Sequence, residues 1–239
     1  MIMKLRTVYL LVFGAIFLVV LLVMISSFSN IAKLVSRDVE LSTQPTIIID
    51  AGHGGEDGGA EVDGVAEKDI NLLISRKTAD ILRMCGYQVK EVRNEDISVY
   101  SDDADTLREK KVSDLNNRVD LFNKNDSNIV ISIHQNKFNN SKYYGTQIFY
   151  STNNPESADL AKSIRTSVVM LLQPDNTREL KPVSKGIYTM EHTKVPAVIV
   201  ECGFLSNPEE LTKLKDTKYQ QEMAFAIAMG VIDCQRQKQ

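Results

Sequence analysis

Two of the three histidines in this 239-residue chain, His53 and His134, directly follow short runs of buried-strand character. The runs are IIID (47–50) and NIVISIH (128–134). Taken singly, each histidine would read as an ordinary core or surface residue. Two imidazoles at strand ends form a candidate metal pair. Zinc in hydrolases favours three protein ligands, often two His and one carboxylate, and keeps a fourth position open. A water there becomes acidic enough to attack at neutral pH. Glu67, at the start of a helix, offers a stiff platform for the carboxylate; Glu56, Asp57 and Asp63 compete with it on chemistry alone. Glu201 ends a third apolar run, VPAVIVE, where partial burial would raise its pKa and suit it to proton transfer. On composition alone, a structural glutamate paired with Arg or Lys is the commoner arrangement. His192, in MEHTKVP, reads as a loop histidine.

The elements that must carry these residues alternate between strand and helix. Strands are expected over Thr46–Asp50, Tyr87–Val92, Asn128–His134, Gly145–Ser151, Gly186–Met190 and Ala197–Glu201. Helices are expected from Lys68 to Gly86, Ser113 to Asn123, Pro155 to Leu172, from Asn207-Pro208 onward, and Lys218 to Asp233. Asn94–Lys111, charged and rich in breakers, reads as a long loop, and Cys85 as a buried helix-end residue. Such alternation is an α/β pattern with a largely parallel or mixed sheet. In those sheets sites gather at the C-terminal strand ends, which would bring Asp50 and His53, His134, and Glu201 to one rim.

Bulk properties narrow the field. A net charge of −3 gives no electrostatic footprint for nucleic acid. The glycine-rich AGHGGEDGGAEVDG matches neither GxxxxGK[ST] nor GxGxxG, so nucleotide binding is set aside. Three cysteines without a CxxC argue against a thiolate metal site. Residues 8–25 form an 18-residue apolar run preceded by Lys4 and Arg6. That predicts a signal-anchor or transmembrane segment within residues 1–30, with its basic end in the cytoplasm; cleavage as a signal peptide is the competing outcome. Residues 31–44 read as a linker, and 45–239 as a single catalytic domain lying outside the membrane.

Four segments together resemble the zinc-dependent N-acetylmuramoyl-L-alanine amidases: IIIDAGHGGEDGGA (47–60), AEKDINL (66–72), ISIHQN (131–136) and VPAVIVECGFLSN (195–207). The resemblance implies a twisted sheet of about six strands flanked by helices, one zinc ion on His53, Glu67 and His134, and a catalytic glutamate at Glu201. It implies hydrolysis of the amide between N-acetylmuramic acid and L-alanine in peptidoglycan. Where the family often has proline before Gly-His, this chain has Ala51, a change expected to alter loop stiffness and not ligation. No inserted regulatory helix or wall-binding repeat is recognisable. Targeting is then expected from the membrane span, the domain surface or an accessory protein.

SKYYGTQIFYS (141–151) and LLQPDNTREL (171–180) resemble the sporulation and germination branch of that family. The branch strips stem peptides from muramic acid in spore cortex, so that a separate deacetylase can form the lactam. Three rival functions fit parts of the same sequence: a non-catalytic peptidoglycan-binding module on a membrane stalk, a zinc peptidase cutting within the stem peptide, and a cysteine hydrolase pairing Cys202 with His192.

Overall fold

Strand periodicity decides which face of the sheet carries chemistry. The computed structural model describes residues 45–238, together with Leu18 and Val23. The span expected within residues 1–30 and the linker 31–44 otherwise lie outside the described residues. Among the described residues no helix is long and apolar enough to cross a membrane.

The main sheet contains β1 (Ile47–Ala51), β4 (Val89–Glu91), β5 (Ile129–Asn136), β6 (Gln147–Tyr150), β7 (Lys181–Pro182) and β8 (Ala197–Phe204). Their spatial order is β4-β1-β5-β8-β6-β7. β4, β1, β5 and β8 run parallel, while β6 pairs antiparallel with β8, so the sheet is mixed. A small hairpin, β2 (Glu61–Val62) with β3 (Val65–Ala66), follows the glycine-rich loop. The helices are α1 (Glu67–Met84), α2 (Leu107–Phe122), α3 (Glu156–Leu171), α4 (Tyr188–His192), α5 (Pro208–Lys215) and α6 (Thr217–Arg236).

Alternate residues along a strand face opposite sides. Ile47, Ile49, Ile129, Ile131, Ile133, Val198 and Val200 enter the larger core, under α1, α3, α5 and α6. Ile48, Val130, Ala197 and Ile199 face a smaller core with Phe122 of α2 and Met190 of α4. Asp50, Ser132, His134 and Glu201 share the parity of that second, thinly covered face. The cleft opens there.

Several elements differ from their sequence expectation for local reasons. α2 starts at Leu107, not near Ser113, because Thr106 and Glu109 form a capping box. The charged residues after Thr106 are good helix formers and do not break it. Gly186–Met190 is not a strand. Gly186 turns with φ 99° and the chain enters α4, while the sheet edge is taken by β7. Cys85 is exposed, and the core there is closed by Leu82 and half-buried Tyr87.

Gly230 of α6 crosses α3 so closely that a Cβ would lie 2.4 Å from Ile164 Cα. Helix propensity favours Ala over Gly by about 1 kcal/mol, whereas overpacking costs about 1–3 kcal/mol. The obstacle is backbone, so overpacking should win. Gly230→Ala is expected to lower stability in urea denaturation by up to about 2 kcal/mol, and a stabilised variant would contradict this close crossing.

Candidate metal centre and active site

The chain leaves β1 at Ala51 and turns over the end of β5, with Gly52 N–H donating to Ile133 O at 3.0 Å. A Cβ at Gly52 would lie 2.2 Å from the His134 ring, so only glycine lets that ring settle over the turn. Gly59 does the same for the other two groups: its Cβ would lie 2.7 Å from both Glu67 Oε2 and His53 Cδ2. The glycine-rich loop is therefore a cradle for three side chains.

His53 Nε2, Glu67 and His134 converge there. Their ligand atoms lie within 4.8 Å of one another, and they are the group of three recognised as able to hold a metal among the described residues. Glu67 Oε2 is 3.3 Å from His53 Nε2, and Glu67 Oε1 is 2.9 Å from His134 Nδ1. Glu67 opens α1, with its N–H donating to Ala60 O at 2.8 Å. Its carboxylate accepts from Ala60 N–H at 2.9 Å, Gln135 N–H at 3.1 Å and Asn71 Nδ2 at 3.2 Å. Asn71 stands one helical turn after Glu67, and Gln135 Nε2 donates to Asn71 Oδ1 at 3.1 Å.

The competing carboxylates have other work. Glu56 pairs with Lys110 at 3.1 Å. Asp63 turns the β2–β3 hairpin with φ 51°. Asp57 Oδ2 lies 2.9 Å from His53 Nδ1 and also accepts from Lys111. A carboxylate behind a ligating imidazole fixes its orientation and leaves the other ring nitrogen free for the metal. Asp57 thus supports His53.

Electrostatics agree with the geometry. Burial acts against a charged His53, but hydrogen bonds to Asp57 and Glu67 outweigh it and raise the imidazole to about 9. Burial alone would raise Glu67; hydrogen bonds with His134 and His53 instead hold it well below the usual carboxylate range. The hydrogen bond with His53, seconded by Lys111, holds Asp57 low as well. Glu201 is different. It stands in register with His134 across β5 and β8, and its Oε2 is shielded from solvent without a hydrogen-bond partner. Burial pushes it up to about 7, aided by the Glu67 charge and opposed by His134 and His53. An orphaned oxygen beside two imidazoles and a carboxylate fits a site built for a cation and its attendant water.

Glu201 and His134 line a cleft of about 340 Å³ whose far wall is Ile187 and Tyr188. His192 does not join the cluster: its ring stacks on Tyr188 at 4.0 Å and its Nδ1 lies 2.9 Å from Tyr188 O. Cys202 is fully buried, and burial pushes its thiol far up, so it is no nucleophile. Asp50 is also outside the metal set. Burial would raise its pKa, but its ion pair with Arg118 and a hydrogen bond from Ser132 lower it. Asp57, Asn71, Lys111, Arg93 and Arg118 were not singled out as supporting groups by the sequence. Asn71 and Arg118 carry a readable signal, an i, i+4 spacing from Glu67 and from Asp114.

A family model described as N-acetylmuramoyl-L-alanine amidase matches residues 47–233. The germination-specific N-acetylmuramoyl-L-alanine amidase of Bacillus subtilis (strain 168) is 36% identical over 186 residues, covering 78% of this chain and 78% of that protein. The amidase AmiA of Escherichia coli (strain K12) is 28% identical, covering 78% of this chain and 74% of that one. Among solved structures, the CwlD amidase from Clostridioides difficile, in complex with the GerS lipoprotein, matches with a TM-score of 0.77 at 38% identity. That match covers 81% of this chain and 99% of that one.

His53 must lose its proton to ligate a metal ion, and its raised value sets the pH window. Zinc affinity of the full-length chain, measured by chelator competition, is expected to climb from about pH 7 to about pH 9 and then level off. A flat response across that window would contradict the charged pairing of His53 with Asp57 and Glu67.

Proposed function

The chain belongs to the N-acetylmuramoyl-L-alanine amidase family, and we propose that it hydrolyses the amide between N-acetylmuramic acid and L-alanine in peptidoglycan with zinc held by His53, Glu67 and His134. The observation that carries this reading is the convergence of those three side chains beside Glu201. Two imidazole nitrogens and one carboxylate oxygen are a donor set that suits zinc in hydrolases. Zinc, when bound, supplies Lewis acidity to the scissile carbonyl and to the attacking water.

The chain's own residues do the rest. Asp57 holds the His53 ring so that Nε2 faces the site. Glu67 is kept ionised and oriented by Ala60, Asn71 and Gln135. Glu201 takes a proton from the water as its oxygen bonds to the carbonyl carbon. It returns that proton to the alanine nitrogen as the C–N bond breaks. The second water proton passes from the new carboxyl group to the amine, so the products are a lactyl carboxylate and a peptide with a free ammonium terminus. A carboxylate raised to about 7 both accepts and releases a proton near neutrality, as this double duty requires.

The biological setting extends the proposal. The segments at 141–151 and 171–180, and likeness to a relative described as germination-specific, support a role in spore cortex. There the enzyme strips stem peptides from muramic acid, which a separate deacetylase then converts to the lactam. The apolar run at 8–25 would anchor the chain with its catalytic domain outside the membrane. The C. difficile relative is seen with a lipoprotein, which supports an accessory partner of that kind here.

The test is product analysis on purified peptidoglycan with wild-type chain and Glu201→Gln. Wild type is expected to release peptides that begin at L-alanine. Glu201→Gln is expected to keep its zinc and lose at least about 100-fold in rate. Peptides cut internally would replace the amidase reading with a peptidase. No product from zinc-loaded wild type, with or without a lipoprotein partner, would favour a binding module. Full activity in Glu201→Gln would remove Glu201 from the mechanism.

A further inference from the structure

Arg93 follows β4 and is buried, at 2% exposure. Among the described residues no carboxylate pairs with it. Its donors go to backbone carbonyls: Nε to Ala51 O at 3.0 Å, Nη1 to Glu95 O at 3.1 Å, and Nη2 to Gly52 O at 3.0 Å and Lys68 O at 2.9 Å. A buried cation without a paired counter-ion is expensive. Burial and the neighbouring Arg118 charge act against it, and the more distant charges of Asp50, Asp96 and Asp114 offset them only in part. The guanidinium engages four backbone carbonyls instead, so what it contributes is geometry.

The bridged carbonyls define that geometry. Gly52 precedes His53 and Lys68 follows Glu67, so one nitrogen ties the backbones beside two metal-site residues. Asn71 reinforces the link, donating to Gly52 O at 3.1 Å and to Glu67 Oε1 at 3.2 Å. His53 itself sits at φ 62°, a left-handed conformation that a non-glycine residue keeps only when its surroundings hold it. Gly54 leaves the room: a Cβ there would lie 2.8 Å from Arg93 Nε and 2.9 Å from its Cδ. Planar, forked donors can span two carbonyls in a way an ammonium cannot.

We propose that Arg93 is a positioning residue that sets the spacing of His53 and Glu67 by clamping the carbonyls of Gly52 and Lys68. The proposal rests on reading those two side chains as metal ligands. Its strength follows from the usual weight of groups that orient ligands, which is 10- to 100-fold in metal affinity.

The test compares full-length wild type, Arg93→Met and Leu160→Ala, the last a core truncation in α3 that leaves the loop alone. Zinc affinity is measured by chelator competition. Hydrogen exchange at the Gly52 and Gly54 amides is measured in metal-free protein. Arg93→Met is expected to bind zinc about 10- to 100-fold more weakly and to exchange those amides faster. Leu160→Ala is expected to change neither, although it lowers the melting temperature. Wild-type zinc affinity in Arg93→Met, or equal effects from Leu160→Ala, would overturn the clamp. Should Arg93→Met fail to fold, Arg93→Lys keeps the charge and loses the fork, and wild-type affinity and exchange in it would overturn the proposal. Absence of zinc from wild type would sink the zinc reading instead, and the metal-free exchange would still decide whether Arg93 holds the loop.

Discussion

The site depends on the register of three parallel strands. β1, β5 and β8 lie side by side, with Asp50 opposite Ser132 and His134 opposite Glu201. Apolar side chains on both faces fix that register, because a slip of one residue exchanges every side chain between faces. Such a slip would drive His134 and Glu201 into the core beneath α1 and α6 and expel Ile133 and Val200. The cost of burying charge and exposing aliphatic surface therefore aligns the chemistry. The placement of His134 and Glu201 side by side is a by-product of core packing.

Register alone brings His134 and Glu201 together, but it cannot place His53, which lies beyond the end of β1. That task falls to a polar layer under the loop. Arg118 of α2 pairs with Asp50 and Asp114 and donates to Ala51 O at 3.1 Å and His53 O at 2.9 Å. Lys110 and Lys111 of the same helix hold Glu56 and Asp57. Buried ion pairs contribute little net stability against an apolar substitute. Here their product is a loop conformation, with carbonyls 51, 52 and 53 all engaged by arginine. Glu201 gives the layer its purpose: its partnerless Oε2 faces the two imidazoles and is poised for something other than protein.

Much of this was legible in the chain. The β-branched runs before Asp50, His134 and Glu201 announced buried strands, and the rule for strand ends placed the three on one rim. Recognition of family motifs selected Glu67 over Asp57, a choice donor chemistry alone left open. What escaped was set by tertiary contacts. Arg93 and Arg118 look like any other arginine beside a strand or on a helix, since most of their partners, the carbonyls of residues 51–53 and Asp50 among them, are distant in sequence. α2 runs six residues further toward its N-terminus than charge patterning suggests, because Thr106 and Glu109 stand at capping-box spacing and start the helix there. The strand expected at Gly186–Met190 failed because Met190 is drawn into the smaller core, where Ser151 Oγ donates to its carbonyl at 2.9 Å.

Anomalous diffraction at the zinc edge from crystals of the zinc-loaded full-length chain tests the metal centre most directly. One strong peak shared by His53, Glu67 and His134 is expected, with Glu201 facing it and not ligating. A peak that includes Asp57 or His192, or the absence of a peak from this loop, would contradict the claim that the sheet register and the clamped loop build a metal centre.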